Sequence, residues 1–263
     1  MDSGAFLTDD HIKITWRSDG QPENPPLLLA NSLGTDLAMW DPQIEAWSKH
    51  YFIIRHDMRG HGTSEVAAAG FGIDRFARDV LGLLDHLEID ASDFVGLSLG
   101  GMVGQWLGIN APERLGRMIL ANTSAYMGPP ESWDARITAV RENGMVAIAD
   151  AVVERWFTPE FRAASAAPAR ILAMLLATDP EGYAAACTAI RNMDQRGAIS
   201  GIDVPTLVIG GANDPATPPE HAAFLASSIS NATLEMLPAA HLSNIEYPEQ
   251  FSQLVLDFLD QAH

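Results

Sequence analysis

The sequence is poor in cysteine, in lysine and in long apolar runs. Cys187 is the single cysteine among 263 residues, which excludes a disulfide within the chain and favours a reducing compartment. Lysine occurs only at positions 13 and 49, and 34 acidic residues against 16 basic ones give a net charge of −18. Such a negative charge argues against nucleic acid and anionic membrane surfaces as partners.

Two further absences narrow the class of protein. No apolar run approaches the length of a membrane-spanning helix, and the first residues lack the basic and apolar regions of a signal peptide. His56 and His61 are close in sequence, but neither an H-E-x-x-H nor a C-x-x-C motif accompanies them, so we expect no metal. We therefore expect a soluble, cytoplasmic, globular protein without a membrane partner.

Short apolar segments alternate with helical patterns along most of the chain. Because parallel strands joined by helices alternate in this way, the pattern predicts an α/β fold, with a doubly wound, mostly parallel sheet covered on both faces. The predicted strands lie at 11–17, 27–30, 51–56, 94–97, 115–121, 205–211 and 233–237, and the main helices at 40–50, 74–87, 102–107 and 248–262.

Residues 122–197, called the cap segment below, break this alternation. They contain helical patterns at 133–142 and 145–157 and no convincing strand. We interpret them as a helical cap (lid) inserted into a core domain made of residues 1–121 and 198–263. The cap segment holds seven of the fourteen arginines and has a net charge of −2, which leaves −16 on the rest of the chain.

The sequence Gly-Leu-Ser-Leu-Gly at 96–100 lies between a predicted buried strand and a predicted helix. A G-x-S-x-G motif in this context is typical of a nucleophile elbow, a turn so tight that the serine takes a strained backbone conformation. The glycines leave room for the crossing chain, and the turn presents the Ser98 hydroxyl above the sheet. A chance match of a short motif is the alternative.

A serine hydroxyl needs a base and a group that orients the base, and in this topology the acid precedes the histidine. Asp214 directly follows the strand predicted at 205–211, and His241 follows the next one, so the order Ser98, Asp214, His241 fits. Asp203 precedes its strand and would lie at the wrong end of the sheet. A simple turn residue before Pro215 is the alternative for Asp214.

An oxyanion needs two N–H donors, which the fold supplies from the backbone. One donor is expected from Leu99, immediately after the nucleophile, and the other from the loop after the strand at 27–30, where we place it at Leu33.

Five blocks of sequence carry a resemblance to a known family. They are NSLGTDLAMWDPQ (31–43), RHDMRGHGTS (55–64), GLSLGGMVGQWLG (96–108), RWFTPEF (155–161) and AHLSNIEYPEQF (240–251). Together they resemble the α/β-hydrolase superfamily, and within it the 3-oxoadipate enol-lactonases of the β-ketoadipate pathway of bacterial aromatic catabolism. The Asn31-Ser32 pair, where many relatives carry His-Gly, belongs to this resemblance. Carried over by position, the family's catalytic triad falls on Ser98, Asp214 and His241.

The resemblance implies hydrolysis of an anionic lactone through an acyl-enzyme, with no cofactor. The free carboxylate of such a substrate needs a cation in a protein this acidic, and we expect Arg136, Arg155 or Arg191 to supply it. Trp133 and Trp156 are candidates for the roof of the pocket. The alternatives are arginines paired with acids of the cap segment and tryptophans that belong to the core.

Other functions share these features. They are a general carboxylesterase or cofactor-free perhydrolase with the same triad, a carbon–carbon bond hydrolase, and a hydrolase-fold ligand receptor without catalysis. The oligomeric state stays open.

Overall fold

The computed structural model describes residues 2–67 and 70–260, and its centre is an eight-stranded sheet in the order β1-β2-β4-β3-β5-β6-β7-β8. β2 pairs antiparallel with β1 and β4, and the other neighbours are parallel. This confirms the predicted fold class. The strands are β1 Asp2–Leu7, β2 Lys13–Asp19, β3 Pro26–Ala30, β4 Phe52–His56, β5 Ser92–Leu97, β6 Leu115–Ala121, β7 Thr206–Gly211 and β8 Ala232–Leu237.

Helices cover both faces of the sheet. They are α1 Asp41–Trp47, α2 Ile73–His86, α3 Leu99–Asn110, α4 Pro130–Asn143, α5 Ala149–Trp156, α6 Pro159–Ala164, α7 Ala167–Ala177, α8 Pro180–Asn192, α9 Pro219–Ser228, α10 Ser243–Glu246 and α11 Pro248–Leu259. α2 packs on α3, and α1 packs on α11. None of the helices within the described ranges is long and apolar enough to cross a membrane. The predicted helix at 248–262 ends at Leu259, and residues 261–263 lie outside the described residues.

The edge strand β1 is absent from the sequence-based prediction. Its sequence, DSGAFL, buries only Phe6, so it carries neither an apolar run nor a clear alternation. The backbone pairing with β2, from Asp2 opposite Ser18 to Leu7 opposite Lys13, defines it instead.

Five helices, α4 to α8, lie between β6 and β7. The two ends of this segment meet, because Tyr126 forms an antiparallel bridge with Asp194 and the Gln195 N–H donates to the Ala125 carbonyl at 2.8 Å. α4 and α8 pack against each other. The division of the chain into a core domain and a cap stays a prediction.

Candidate active site

Ser98 lies in the turn between β5 and α3, at the middle of the sheet. Its backbone has φ 57° and ψ −112°, a region that residues with a side chain rarely adopt. A Cβ on Gly96 would lie 2.2 Å from the Gly100 carbonyl oxygen, and one on Gly100 would lie 2.1 Å from that of Ala30. Only glycine therefore allows strand, turn and helix to pack this closely.

Three buried side chains form one line of hydrogen bonds at this turn. The His241 Nε2 atom lies 2.9 Å from Ser98 Oγ, and the Nδ1 atom lies 2.8 Å from Asp214 Oδ2. Asp214 follows β7 and His241 follows β8, so neighbouring parallel strands deliver both to the same edge of the sheet as Ser98. The structure thus brings together the three residues singled out from the sequence.

The Asp214 carboxylate accepts four further hydrogen bonds. The backbone N–H groups of Ala216 and Thr217 donate to Oδ1, and the Thr217 hydroxyl and the Asn122 side-chain amide donate to Oδ2. Burial raises the pKa of Asp214, but the charge of His241 and these hydrogen bonds outweigh it and hold the pKa below its ordinary value. The group is therefore an anion that can orient the imidazole.

Asn122 is a part of this cluster that sequence reasoning missed. Its amide donates to Asp214 Oδ2 at 3.0 Å and to the Ala240 carbonyl at 3.2 Å, and its own oxygen accepts from the Ser243 hydroxyl at 2.5 Å. It therefore ties the acid to the loop that carries the histidine. Its position immediately after β6 is the signal that could have identified it, because polar residues at the carboxyl ends of parallel strands meet at one edge.

The loop after β3 is fixed against the first turn of α3. The Gly100 N–H donates to the Asn31 carbonyl at 2.9 Å, and the Asn31 side chain bridges the Trp40 indole and the His56 carbonyl. Leu33 borders the cavity in front of Ser98. Leu99 begins α3, so its N–H has no acceptor within the helix.

A cavity of about 220 Å³ opens above Ser98 and His241. This is below the ~300–1,000 Å³ typical of pockets for drug-sized ligands, which indicates a small substrate. The cap segment supplies much of the wall, including Trp133, Arg136, Arg155, Trp156 and Tyr183. Within the part of the chain that the structure describes, no group of histidine, cysteine and acidic side chains is arranged to hold a metal ion.

Six of the seven cap arginines fall into two groups. Four of them form salt bridges with acids of the cap segment, and Arg191 belongs to this group, outside the cavity wall. Arg136 and Arg155 line the cavity, and within residues 2–67 and 70–260 neither forms a salt bridge. Burial and the neighbouring Arg136 lower the pKa of Arg155. The four pairs are Arg141–Glu181, Arg162–Glu154, Arg191–Asp134 and Arg196–Asp194.

Trp133 and Trp156 are both mostly buried and both border the cavity. The Arg136 guanidinium lies over the Trp133 ring, 4.8 Å from its centroid, which holds the cation at the wall. The whole arrangement combines a serine next to a base, a helix N-terminus behind the serine and two cations in the wall of the same cavity. It is suited to acyl transfer on a small anionic ester.

Comparison with known proteins shows that the chain is similar to α/β hydrolases, among them enol-lactonases. A family profile described as alpha/beta hydrolase fold matches residues 25–143. The chain is 42% identical to 3-oxoadipate enol-lactonase 2 of Acinetobacter baylyi, over 95% of this chain and 94% of that one. It superposes on the crystal structure of the enol-lactonase from Burkholderia xenovorans LB400 with a TM-score of 0.96 and 41% identity, covering 98% and 100% of the two chains. A thermophilic esterase from Thermogutta terrifontis, solved with malate bound, gives a TM-score of 0.92 at 28% identity over 98% of each chain.

Proposed function

The chain belongs to the α/β-hydrolase family, and we propose that it opens the lactone ring of 3-oxoadipate enol-lactone to give 3-oxoadipate. The observation that carries this proposal is the hydrogen-bonded line Ser98–His241–Asp214, which faces two arginines that lack a carboxylate partner among the described residues. The names of the similar enol-lactonases supply the substrate.

In the first step, Ser98 is the nucleophile and His241 the base. The serine oxygen attacks the lactone carbonyl carbon, and its proton passes to Nε2, 2.9 Å away. The N–H groups of Leu33 and Leu99 stabilise the tetrahedral oxyanion. When the ring C–O bond breaks, the leaving group is an enolate, which takes the proton from Nε2 at carbon and becomes a ketone. His241 is then neutral again and can act as the base in the second step.

In the second step, water hydrolyses the acyl-enzyme. His241 takes a proton from the attacking water, the bond between Ser98 and the acyl carbon breaks, and the serine oxygen recovers its proton. Asp214 stabilises the imidazolium in both steps because its carboxylate stays ionised. The reaction consumes one water and needs no cofactor or metal.

Arg136 and Arg155 are the groups that bind the free carboxylate of the substrate. A body with a net charge of −16 outside the cap segment repels an anion at long range, so affinity must come from cations inside the cavity. The similar esterase was solved with malate bound, and malate is a small dicarboxylate, which supports the binding of a small carboxylate by a protein of this fold. Trp133 and Trp156 form the apolar roof, and the cap segment acts as a lid. The single cysteine supports a cytoplasmic location.

The test is an absorbance assay on freshly generated 3-oxoadipate enol-lactone, with Ser98→Ala in parallel. We expect rapid loss of the enol-lactone absorbance with the parent protein and only background loss with the variant, because no other nucleophile lies at the turn. Equal slow rates in both proteins would reject the substrate, and activity that survives the substitution would reject the serine mechanism.

Chromogenic acetate and butyrate esters, assayed beside the lactone, separate this function from that of a general carboxylesterase or perhydrolase. Rapid ester turnover with slow lactone opening would favour the carboxylesterase. Dienoate substrates test for carbon–carbon bond hydrolysis in the same way.

A further inference from the structure

Glu246 is a buried carboxylate that the proposed reaction does not use. It is the last residue of α10 and is only 7% exposed. Its Oε2 atom accepts from the Ala240 N–H at 2.9 Å, and its Oε1 atom accepts from both the N–H and the hydroxyl of Thr158. No arginine or lysine of the described ranges forms a salt bridge with it.

A buried carboxylate without a cation is stable only where several donors converge on it. Here the three donors come from two places that are about eighty residues apart in the chain. Ala240 immediately precedes His241, and Thr158 is the N-cap of α6, where its hydroxyl also accepts from the Phe161 N–H. One side chain thus joins the cap segment to residues 238–242, the loop between β8 and α10 that carries His241 and is called the histidine loop below. The connection is made through charge-assisted hydrogen bonds.

A second hydrogen bond connects the same two places. The Leu242 N–H, on the other side of His241, donates to the Trp156 carbonyl at 3.0 Å. Both neighbours of His241 are therefore bonded to the junction between α5 and α6, one directly and one through Glu246. Arg155 and Trp156, at the end of α5, line the cavity, so this junction carries part of the substrate-facing wall.

We propose that Glu246 and Thr158 are positioning residues that couple the cap segment to His241. The pair keeps the histidine loop in the register that places Nε2 against Ser98 only while the α5–α6 junction is in place. The inference rests on the proposed serine chemistry. It predicts that a change on the cap side alone, with no contact to Ser98, His241 or Asp214, lowers the reactivity of Ser98.

The test uses Thr158→Val, which keeps the shape and the backbone N–H but removes the hydroxyl donor. Two readouts are measured: kcat and KM on the enol-lactone, and the rate of Ser98 sulfonylation by phenylmethylsulfonyl fluoride. The second probe is neutral and needs His241 as base but no cap arginine. Because small misplacements of a catalytic group are costly, we expect both kcat and the sulfonylation rate to fall by about five- to twentyfold, with KM within about twofold.

Two matched variants make the result specific. Thr158→Ser restores the hydroxyl and should return both rates to near the parent values. Thr188→Val removes an equally half-buried cap hydroxyl, which donates to the Ala184 carbonyl within α8, and should change neither rate. Glu246→Gln leaves one acceptor oxygen, whereas both oxygens of the Glu246 carboxylate accept hydrogen bonds. It should therefore lower both rates at least as much as Thr158→Val. Thermal melting of each variant checks that it is folded.

Different results would contradict the coupling and the proposed serine mechanism. Unchanged sulfonylation in Thr158→Val, a rise in KM alone, or an equal loss in Thr158→Ser would overturn the coupling. If the parent protein is not sulfonylated at Ser98 at all, the proposed serine mechanism fails instead.

Discussion

Single residues decide how an acidic protein accommodates an anion. Arg136 and Arg155 face the cavity without a salt bridge among the described residues, whereas Arg191 is neutralised by Asp134 on the surface of the cap segment. All three occur in helices of the same segment, and the sequence does not distinguish them. Asp134, the partner of Arg191, lies in α4 and Arg191 lies in α8, so the packing of α4 against α8 forms this pair.

Replacement of Arg136 or Arg155 by methionine should raise KM for the anionic lactone by about 10- to 100-fold. The reason is that a charge-assisted hydrogen bond to a carboxylate contributes about 1.5–3 kcal/mol, while methionine keeps the apolar stem. The measurement is steady-state kinetics on the lactone and on an uncharged acetate ester, for which KM should hardly change.

Arg191→Met is the matched control, because it removes one positive charge from the same segment without altering the cavity wall. Its KM should stay within about twofold of the parent value. An equal rise in KM in all three variants would mean that net charge, rather than contact with the carboxylate, governs affinity.

At the scale of elements, the turn between β5 and α3 depends on glycine as much as on serine. Gly100→Ala should lower the free energy of unfolding by about 3 kcal/mol or more, because the new Cβ would lie 2.1 Å from the Ala30 carbonyl oxygen and the backbone cannot yield cheaply. Urea unfolding at neutral pH measures the change.

Gly197→Ala provides the comparison, because no heavy atom lies within 4 Å of the added Cβ. We expect its effect to stay within about 0.5 kcal/mol. If Gly100→Ala is as stable as Gly197→Ala, the close approach of the helix to β3 does not constrain the turn.

Strands buried on both faces were predictable from the sequence, whereas elements held mainly by contacts with a neighbouring element were not. The strands predicted at 27–30 and 115–121 are recognisable as apolar runs, and their bounds agree with those of β3 and β6 to within one residue. β1 has no such run because one antiparallel neighbour suffices to hold it. Thr158 and Asp179 are the N-caps of α6 and α8, and each is followed by proline. This N-cap signal does not appear in a search for apolar periodicity.

The candidate site shows the same division. Ser98, Asp214 and His241 each follow a strand, and this topology places the acid before the histidine, so their positions along the chain were enough to identify them. Asn122 and Glu246 act through contacts to residues 92 and 88 positions away in the chain, Asp214 and Thr158. The position of Asn122 directly after β6 is its one local sign, and for Glu246 no local pattern encodes the contact.

Across the whole molecule, the acidic excess and the arginines of the cavity wall lie in different parts of the chain. Most of the acidic excess, −16 of −18, lies outside the cap segment, whereas the cap segment places two guanidinium groups in the cavity wall that form no salt bridge within residues 2–67 and 70–260. An anion is thus attracted only once it is inside the cavity. The histidines also differ in setting: His241 belongs to the site, whereas His56 is fully buried at the end of β4.

His56 makes the stability of the whole fold depend on pH. Burial lowers its pKa to about 4, against the attraction of Asp57 and a hydrogen bond to Leu29. As the pH falls below about 6.5, the unfolded chain takes up a proton at this histidine while the folded chain does not, so the free energy of unfolding decreases. Between pH 7.5 and pH 5.0 this histidine should remove about 2 kcal/mol of stability.

His56→Gln keeps an N–H donor for the Leu29 carbonyl but cannot titrate. Urea unfolding at pH 7.5 and pH 5.0 should therefore give a difference between the two pH values that is about 2 kcal/mol smaller than in the parent protein. His50→Gln, at an exposed position after α1, should leave the pH dependence as it is. The buried His61, whose pKa is also lowered by burial, accounts for part of the dependence that remains in His56→Gln. An unchanged difference between the two pH values in that variant would show that the fold admits a proton at His56 before it unfolds.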